Sequence, residues 1–410
     1  MVDLAGNDYL GLSRHPRVIA AATEALQRYG AGATGSRLVR GSTDLHASLE
    51  AALAGWLGTE SALVYSSGYL ANLGAIRALV QTSTRLLSDA HNHASLVDGI
   101  RLTGTTPTIT PHNDIPGVRE ALALSPGGSA GSGSASGEPG SRTDSHAVPG
   151  AHAGPGSGAH AGPGAHAGPG LHVAPGSGAA LRAGPAPALV ITESVFSVDG
   201  DLAPLSELHA LVRAHDALLL VDDAHALGVL GPSGAGGVAA AGLAGLPDVV
   251  VTATLSKALG AAGGVVAGPA ALIRHLVDTG RTFIYDTALP PATAAAALAA
   301  LELARSDDAP RVELAARAAL AHARLTDAGL SSARPSAGVV SVTAPGPSEA
   351  VAWAADCREQ GVAVGCFRPP TTPDPRSRLR LTINVGVPRP DFERALDVIV
   401  KTAPHPDPAP

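Results

Sequence analysis

Short apolar runs, each closed by small or polar residues, set the rhythm of this chain. Residues 249–252 are continuously β-branched and too few for a helix, the pattern of a strand buried on both faces. Residues 188–192 and 217–221 read the same way, and 62–65 and 85–88 give two further strands. Helical spacing governs the segments between them. Val18, Ile19, Ala22 and Leu26 share a face over 16–30, and Leu45, Leu49, Leu53 and Trp56 share one over 45–57. Residues 205–214 supply a helix between two of the apolar runs. Strand–helix–strand at this spacing predicts a parallel sheet whose polar strand ends fall on one edge. After Leu289-Pro290-Pro291 the pattern changes to an alanine-rich helix reaching about residue 306 and another over 312–330. Strands over 339–343 and 379–383 follow, with a helix over 350–360 between them. The fold class expected is therefore α/β, a large mostly parallel-sheet domain with a smaller C-terminal α+β domain. The divisions fall at 1–45 for a turn-rich N-terminal segment, 46–285 for the large domain, 286–402 for the small one and 403–410 for a tail.

Composition narrows the classes. With 410 residues, a net charge of −7, dispersed basic residues and few aromatics, the composition argues against a nucleic-acid surface. Two cysteines, Cys357 and Cys366, are too few for a disulfide framework or a zinc site, which suits a reducing compartment. The start, from Met1 to Asp8, has neither the basic nor the apolar region of a signal peptide. The most apolar helix, around residues 292–304, is alanine-rich and interrupted by Glu302, so no membrane span is expected. A cytoplasmic protein follows. From about 125 to 187 Gly, Ala, Pro, Ser and His dominate, with His-Ala-Gly-Pro-Gly at His152, His160 and His166. So little can be buried there that a disordered surface insertion is expected. A low-affinity metal tract of His146, His152, His160, His166 and His172 is the other reading.

The strand ends carry the candidate chemistry. The run 188–192 leads into Glu193 and Ser197, the run 217–221 into Asp222-Asp223-Ala224-His225, and the run 249–252 into Thr254-Leu255-Ser256-Lys257. Only two lysines occur, and Lys401 lies near the proline-rich tail, which leaves Lys257 as the amine for Schiff-base chemistry. Ser66-Ser67-Gly68-Tyr69 places small residues at a strand-to-helix junction, where free N–H groups and the helix dipole suit a phosphate. His91 and His93 lack a third ligand and a carboxylate at metal-site spacing, so no metal is expected. Alternation puts Arg378 and Arg380 on one face of a strand. A lysine, a strand-end carboxylate, an imidazole three residues later and a phosphate-ready helix end suit pyridoxal 5'-phosphate. The carboxylate that keeps the pyridine nitrogen protonated is Asp222, with Asp223 turned elsewhere.

These motifs, together with Asn7-Asp8-Tyr9-Leu10-Gly11-Leu12, His93-Ala94-Ser95-Leu96 and Glu193-Ser194-Val195-Phe196-Ser197, resemble the α-oxoamine synthase family of fold-type I pyridoxal-phosphate enzymes. The resemblance runs from Asn7 nearly to Val400, outside the insertion. It is strongest to members that condense L-alanine with a pimeloyl thioester on coenzyme A or acyl carrier protein. It implies that Lys257 links the cofactor and moves the α proton, that Asp222 pairs with the ring nitrogen, and that His225 bonds the phenolic oxygen. His93 would stack on the ring, also facing substrate; Ser197 and Thr254 would hold the cofactor, and Gly68 and Tyr69 would offer N–H groups to its phosphate. Arg380 would clamp the amino acid's carboxylate, with Thr371 and Arg368 also touching substrate. A homodimer is implied, with the segment from Phe283 to Pro291 reaching the neighbour's phosphate. Asp286 stands there in place of a small hydroxyl residue, so that contact falls to Thr287. Ala226-Leu227-Gly228 also departs from the family's usual small residues. The family's N-terminal helical segment has no counterpart before Asn7, which implies an upstream start or a more open acyl site. Relatives using the same machinery are 2-amino-3-ketobutyrate ligase (glycine C-acetyltransferase), 5-aminolevulinate synthase and serine palmitoyltransferase. A cofactor-binding scaffold without turnover is the non-enzymatic alternative, opposed by the intact Lys257, Asp222, His225 and Arg380.

Overall fold

The computed structural model describes residues 1–124, 187–372 and 374–404. All but the last residue of the low-complexity stretch at 125–187, and every histidine of its proposed metal tract, lie outside the described residues.

Seven strands form the main sheet: β2 (Ser61–Tyr65), β3 (Arg85–Asp89), β4 (Thr108–Thr110), β5 (Ala188–Glu193), β6 (Leu218–Asp222), β7 (Val249–Thr254) and β8 (Gly264–Gly268). Their order is β2-β8-β7-β6-β5-β3-β4. The ladders joining β7, β6, β5, β3 and β4 are parallel, and β8 runs antiparallel to both of its neighbours. The three runs read as buried strands form its centre, and β5 and β7 are buried along their whole length. Alternation explains how they serve two layers. Val249 and Val251 enter the apolar cluster on one face and Val250 the cluster on the other, as Val190 does against Leu189 and Ile191.

The glycine-rich stretch after Lys257, from Gly260 to Gly264, is both a turn and the start of β8. Gly263 has φ +116°, and a Cβ on Gly264 would lie 2.3 Å from the Ser67 carbonyl oxygen, so the strand passes against the Ser67 junction only without side chains. The helix Pro291–Ser306 packs on the helices Pro16–Tyr29 and Asp44–Leu57, its alanines allowing close approach.

The second sheet has four strands in the order β1-β10-β11-β9: β1 (Val2–Leu4), β9 (Val339–Ala344), β10 (Val362–Phe367) and β11 (Ser377–Thr382). Two of these escaped the hydrophobic pattern. Val2 pairs in parallel with Val362, so the N-terminal stretch opens as an edge strand of this sheet. The chain then runs past Tyr9, whose carbonyl accepts from Val385 N–H at 3.0 Å, and this draws residues 7–12 between the two sheets.

Candidate active site

Three neighbouring strands end together. In the parallel ladders Glu193 stands beside Asp222, and Asp222 beside Thr252. Asp222 is 6% exposed, and its two oxygens accept from Asn72 Nδ2 at 2.7 Å and Ala224 N–H at 2.9 Å. The next acidic residue does turn away. Asp223 is fully buried and accepts from Ser194 Oγ at 2.5 Å and Gly237 N–H at 2.9 Å, while burial pushes its carboxyl up to about 6. His225, also buried, meets the Tyr9 hydroxyl through Nδ1 at 2.5 Å. Burial, with Lys257 and Arg380 adding their charge, holds this imidazole neutral, well below its usual range. Burial suppresses the ionisation of Tyr9, so it keeps a proton to donate, and with Tyr9 as donor to Nδ1 the ring proton sits on Nε2. Past β7, Lys257 loses solvation, and its ammonium is pushed down to about 8 although Asp222 and Glu193 oppose the shift.

The opposite rim is the start of the helix Gly68–Leu79. Ser67 caps it by accepting from Leu70 N–H, which leaves the N–H groups of Gly68 and Tyr69 for a ligand. A side chain at 68 would not fit, since its Cβ would lie 2.9 Å from that of Thr254. Thr254 is braced by Ser256 Oγ at 2.7 Å and the Gly263 carbonyl at 3.1 Å. His93 caps the helix Ala94–Arg101 through Ser95, and burial depresses its basicity. Together Ser67, Gly68, Tyr69, Asn72, His93, Asp222, His225, Thr254 and Lys257 enclose a cavity of about 240 Å³, with Glu193 in its wall.

Five of the residues expected from sequence do not line this cavity. Ser197 contributes its carbonyl oxygen, not its hydroxyl, to the Nη1 of Arg380 at 2.8 Å. Thr287 is exposed, its backbone bridged to Ser36, while the Asp286 carboxylate accepts from the Ser66 hydroxyl at the sheet end. Arg368 and Thr371 are exposed on the connection from β10 to β11. Arg380 is buried on β11, its Nη2 donating to Asn7 Oδ1 at 3.2 Å and its guanidinium carbon lying 4.5 Å from the Phe367 ring centre. Its Nε is buried without a partner. Arg378, two residues away, is saturated instead: Asp199 and Asp374 both lie 2.7 Å from its guanidinium.

No role had been assigned to Tyr9, Asn72 or Glu193. Asn72 was open to inference, because it lies one helical turn beyond Gly68 and so faces the same strand ends. Tyr9 was not, since nothing near residue 9 points to position 225. The donor set fits pyridoxal phosphate: a depressed lysine, an anchored carboxylate, a histidine with a free N–H, a glycine-lined helix start, and unpartnered Asn72 Oδ1, Glu193 Oε1 and Arg380 Nε.

The family described as Aminotransferase class I and II matches residues 1–399. An 8-amino-7-oxononanoate synthase of Mycolicibacterium vanbaalenii is 45% identical over 400 residues, covering 98% of this chain and 89% of that protein. One of Mycolicibacterium smegmatis is 46% identical over 387 residues, covering 94% and 85%. Among solved structures, the serine palmitoyltransferase of Sphingomonas wittichii superposes with a TM-score of 0.80 at 27% identity, covering 98% of this chain and 86% of that one. An 8-amino-7-oxononanoate synthase of Francisella tularensis shares the fold, with a TM-score of 0.72 at 22% identity over 98% and 97% of the two chains.

Proposed function

This chain belongs to the class I and II aminotransferase family, and from that premise we propose that it condenses L-alanine with a pimeloyl thioester. It is a pyridoxal-phosphate-dependent acyltransferase of fold type I, of the 8-amino-7-oxononanoate synthase kind that serves biotin synthesis. The products are 8-amino-7-oxononanoate, carbon dioxide and the free thiol of the carrier, coenzyme A or acyl carrier protein. One observation carries the reading: Lys257, Asp222 and His225 converge at adjacent strand ends, while a buried arginine close by keeps an unspent N–H.

Bound pyridoxal phosphate supplies a carbonyl for amines and an electron sink for the pair left at the amino acid's α carbon. The protein's part is binding, orientation and proton handling. Asp222, fixed by Asn72 and the Ala224 N–H, would pair with a protonated ring nitrogen. His225 offers its Nε2–H to the phenolic oxygen because Tyr9 occupies Nδ1. His93 would lie against the ring face, and the N–H groups of Gly68 and Tyr69 would receive the phosphate. Lys257, with its ammonium near 8, has a neutral fraction at neutral pH, so it is the amine that would hold the cofactor and that can move a proton at the substrate's α carbon. Arg380 presents Nε to the substrate carboxylate, a planar donor that lysine does not replace. The roles of Ser197, Thr254, Thr287, Thr371 and Arg368 are part of the same proposal, and for the last two they call for loop closure over substrate.

A homodimer in the cytoplasm completes the reading. The exposed Thr287 and Tyr285 support it, as residues that a second copy would cover. Among the described residues no helix is long and apolar enough to cross a membrane. The separate seven- and four-stranded sheets support a large domain at 46–285 and a small one at 286–402. A matrix of amino acids against acyl thioesters tests the function. Carbon dioxide and free thiol should appear with alanine and a pimeloyl thioester; faster turnover of glycine with acetyl- or succinyl-CoA, or of serine with a long acyl chain, would move the chain to a sister activity.

A further inference from the structure

Glu193 has no duty in the chemistry above, yet it ends β5, is 2% exposed and lines the cavity. In the parallel ladder it is the partner of Asp222, so the two acidic side chains leave the same face of adjoining strands. Two carboxyls placed side by side away from water do not both ionise. Their donors, burial and neighbouring charges together decide which one keeps the proton. Asp222 accepts an amide N–H from Asn72 and a backbone N–H from Ala224. Glu193 leaves Oε1 unpartnered, with the backbone N–H groups of His93 and Ser197 facing its carboxyl. Lys257 is the nearby cation, and Arg380 acts on that lysine from β11. Burial and the Asp222 charge outweigh these attractions and push the Glu193 carboxyl well above its usual range.

We propose that Glu193 is a positioning residue that works as a neutral acid, offering its O–H to a ligand oxygen and leaving Asp222 the single anion of the cavity floor. Lys257 then faces one carboxylate instead of two, and its ammonium gives up a proton more readily. The proposal rests on the reading of the cavity as a pyridoxal-phosphate site.

Three measurements on the full chain test it. Infrared spectra of cofactor-free protein at neutral pH should contain the C=O stretch of a protonated carboxylic acid that Glu193→Gln removes; a parent spectrum without it overturns the proposal. In protein loaded with pyridoxal phosphate, Glu193→Gln should leave the midpoint of the absorbance–pH titration in place, since one neutral group replaces another. A downward shift would mean that a negative charge had been lost, and overturns it. Glu193→Leu should bind the cofactor about tenfold more weakly and Glu193→Gln within about threefold, the scale of one hydrogen bond; equal affinity in the leucine variant overturns the donor role. None of these readouts depends on alanine or the thioester, so a wrong substrate assignment leaves them intact. A parent protein that binds no pyridoxal phosphate would overturn the underlying reading, while the infrared arm would still decide where the proton lies.

Discussion

The floor of the site and its arginine wall are built in different ways. On the floor, Asp222, His225 and Lys257 lie within a few residues of a buried strand end, and the strand order alone brings them together. On the wall, Arg378 and Arg380 have the same chemistry and share a face of β11, but their duties differ because of partners most of which are far away in the chain. Asp199 and Asp374 saturate Arg378, whereas Arg380 meets only a carbonyl and an amide oxygen from Ser197 and Asn7. A floor residue is assigned by its own neighbourhood in the sequence. A wall residue is assigned by what the fold leaves unsatisfied.

Removing the floor's amine is the strongest test of that contrast. Lys257→Ala should lower turnover by on the order of 10⁴-fold or more while the chain still folds, and Lys401→Ala should change nothing. Borohydride reduction followed by peptide mapping should place the pyridoxyl group on Lys257; finding it on Lys401 would dismantle the floor.

The wall is tested by treating its two arginines alike. Arg378→Met strands two carboxylates that are only partly exposed, and should cost about 3 kcal/mol of stability in a denaturant titration. Arg380→Lys should leave stability nearly intact and lower kcat/KM for the amino acid by roughly 10²-fold, because a point charge cannot form a fork with a carboxylate. If the two phenotypes were exchanged, the substrate clamp would belong to Arg378.

Tyr9 joins the two regions, since it reaches His225 from the turn that follows β1. Tyr9→Phe removes the donor that fixes the ring proton on Nε2 and should reduce kcat/KM about tenfold, the scale of one hydrogen bond. It should also shift the absorbance–pH titration of bound cofactor, which a packing change alone would leave in place.

This division explains what was legible beforehand. Apolar runs too short for helices announced β5, β6 and β7, and the scarcity of lysine singled out Lys257. β8 was hidden because its glycines, needed to pass Ser67, carry the signature of a turn. β1 was hidden because a short edge pairing depends on its partner and not on its own pattern, and β10 because Gly365 interrupts its short apolar run. Arg378 and Arg380 could be placed on one face but not told apart, because Asp374 lies within reach of either in the sequence while Asp199 is 179 residues from Arg378 and Asn7 is 373 from Arg380.

A smaller effect probes how the loop carrying His93 is held to the floor. His112 donates through Nδ1 to Asp89 at 3.0 Å and through Nε2 to Asp201 at 2.8 Å, so it ties the end of β3 to the loop after β5. The His91 ring stacks on it at 3.9 Å and Phe196 meets it edge-on at 4.3 Å. Burial disfavours the charge on His112, but the Asp201 and Asp89 carboxylates outweigh it and push the imidazole up to about 9. A group whose pKa is higher folded than unfolded stabilises most below its unfolded value, near 6.5. That contribution fades as pH rises through about 9. Since the pair is partly open to solvent, the discounted effect is about 1 kcal/mol. His112→Asn should therefore lower Tm most near pH 6 and match the parent near pH 10, on scales of about a few degrees. Cofactor affinity should fall over the same range, because the tether orients the loop that ends in His93. A Tm difference that stayed constant with pH would mean that His112 acts by packing against His91 and Phe196, not by charge.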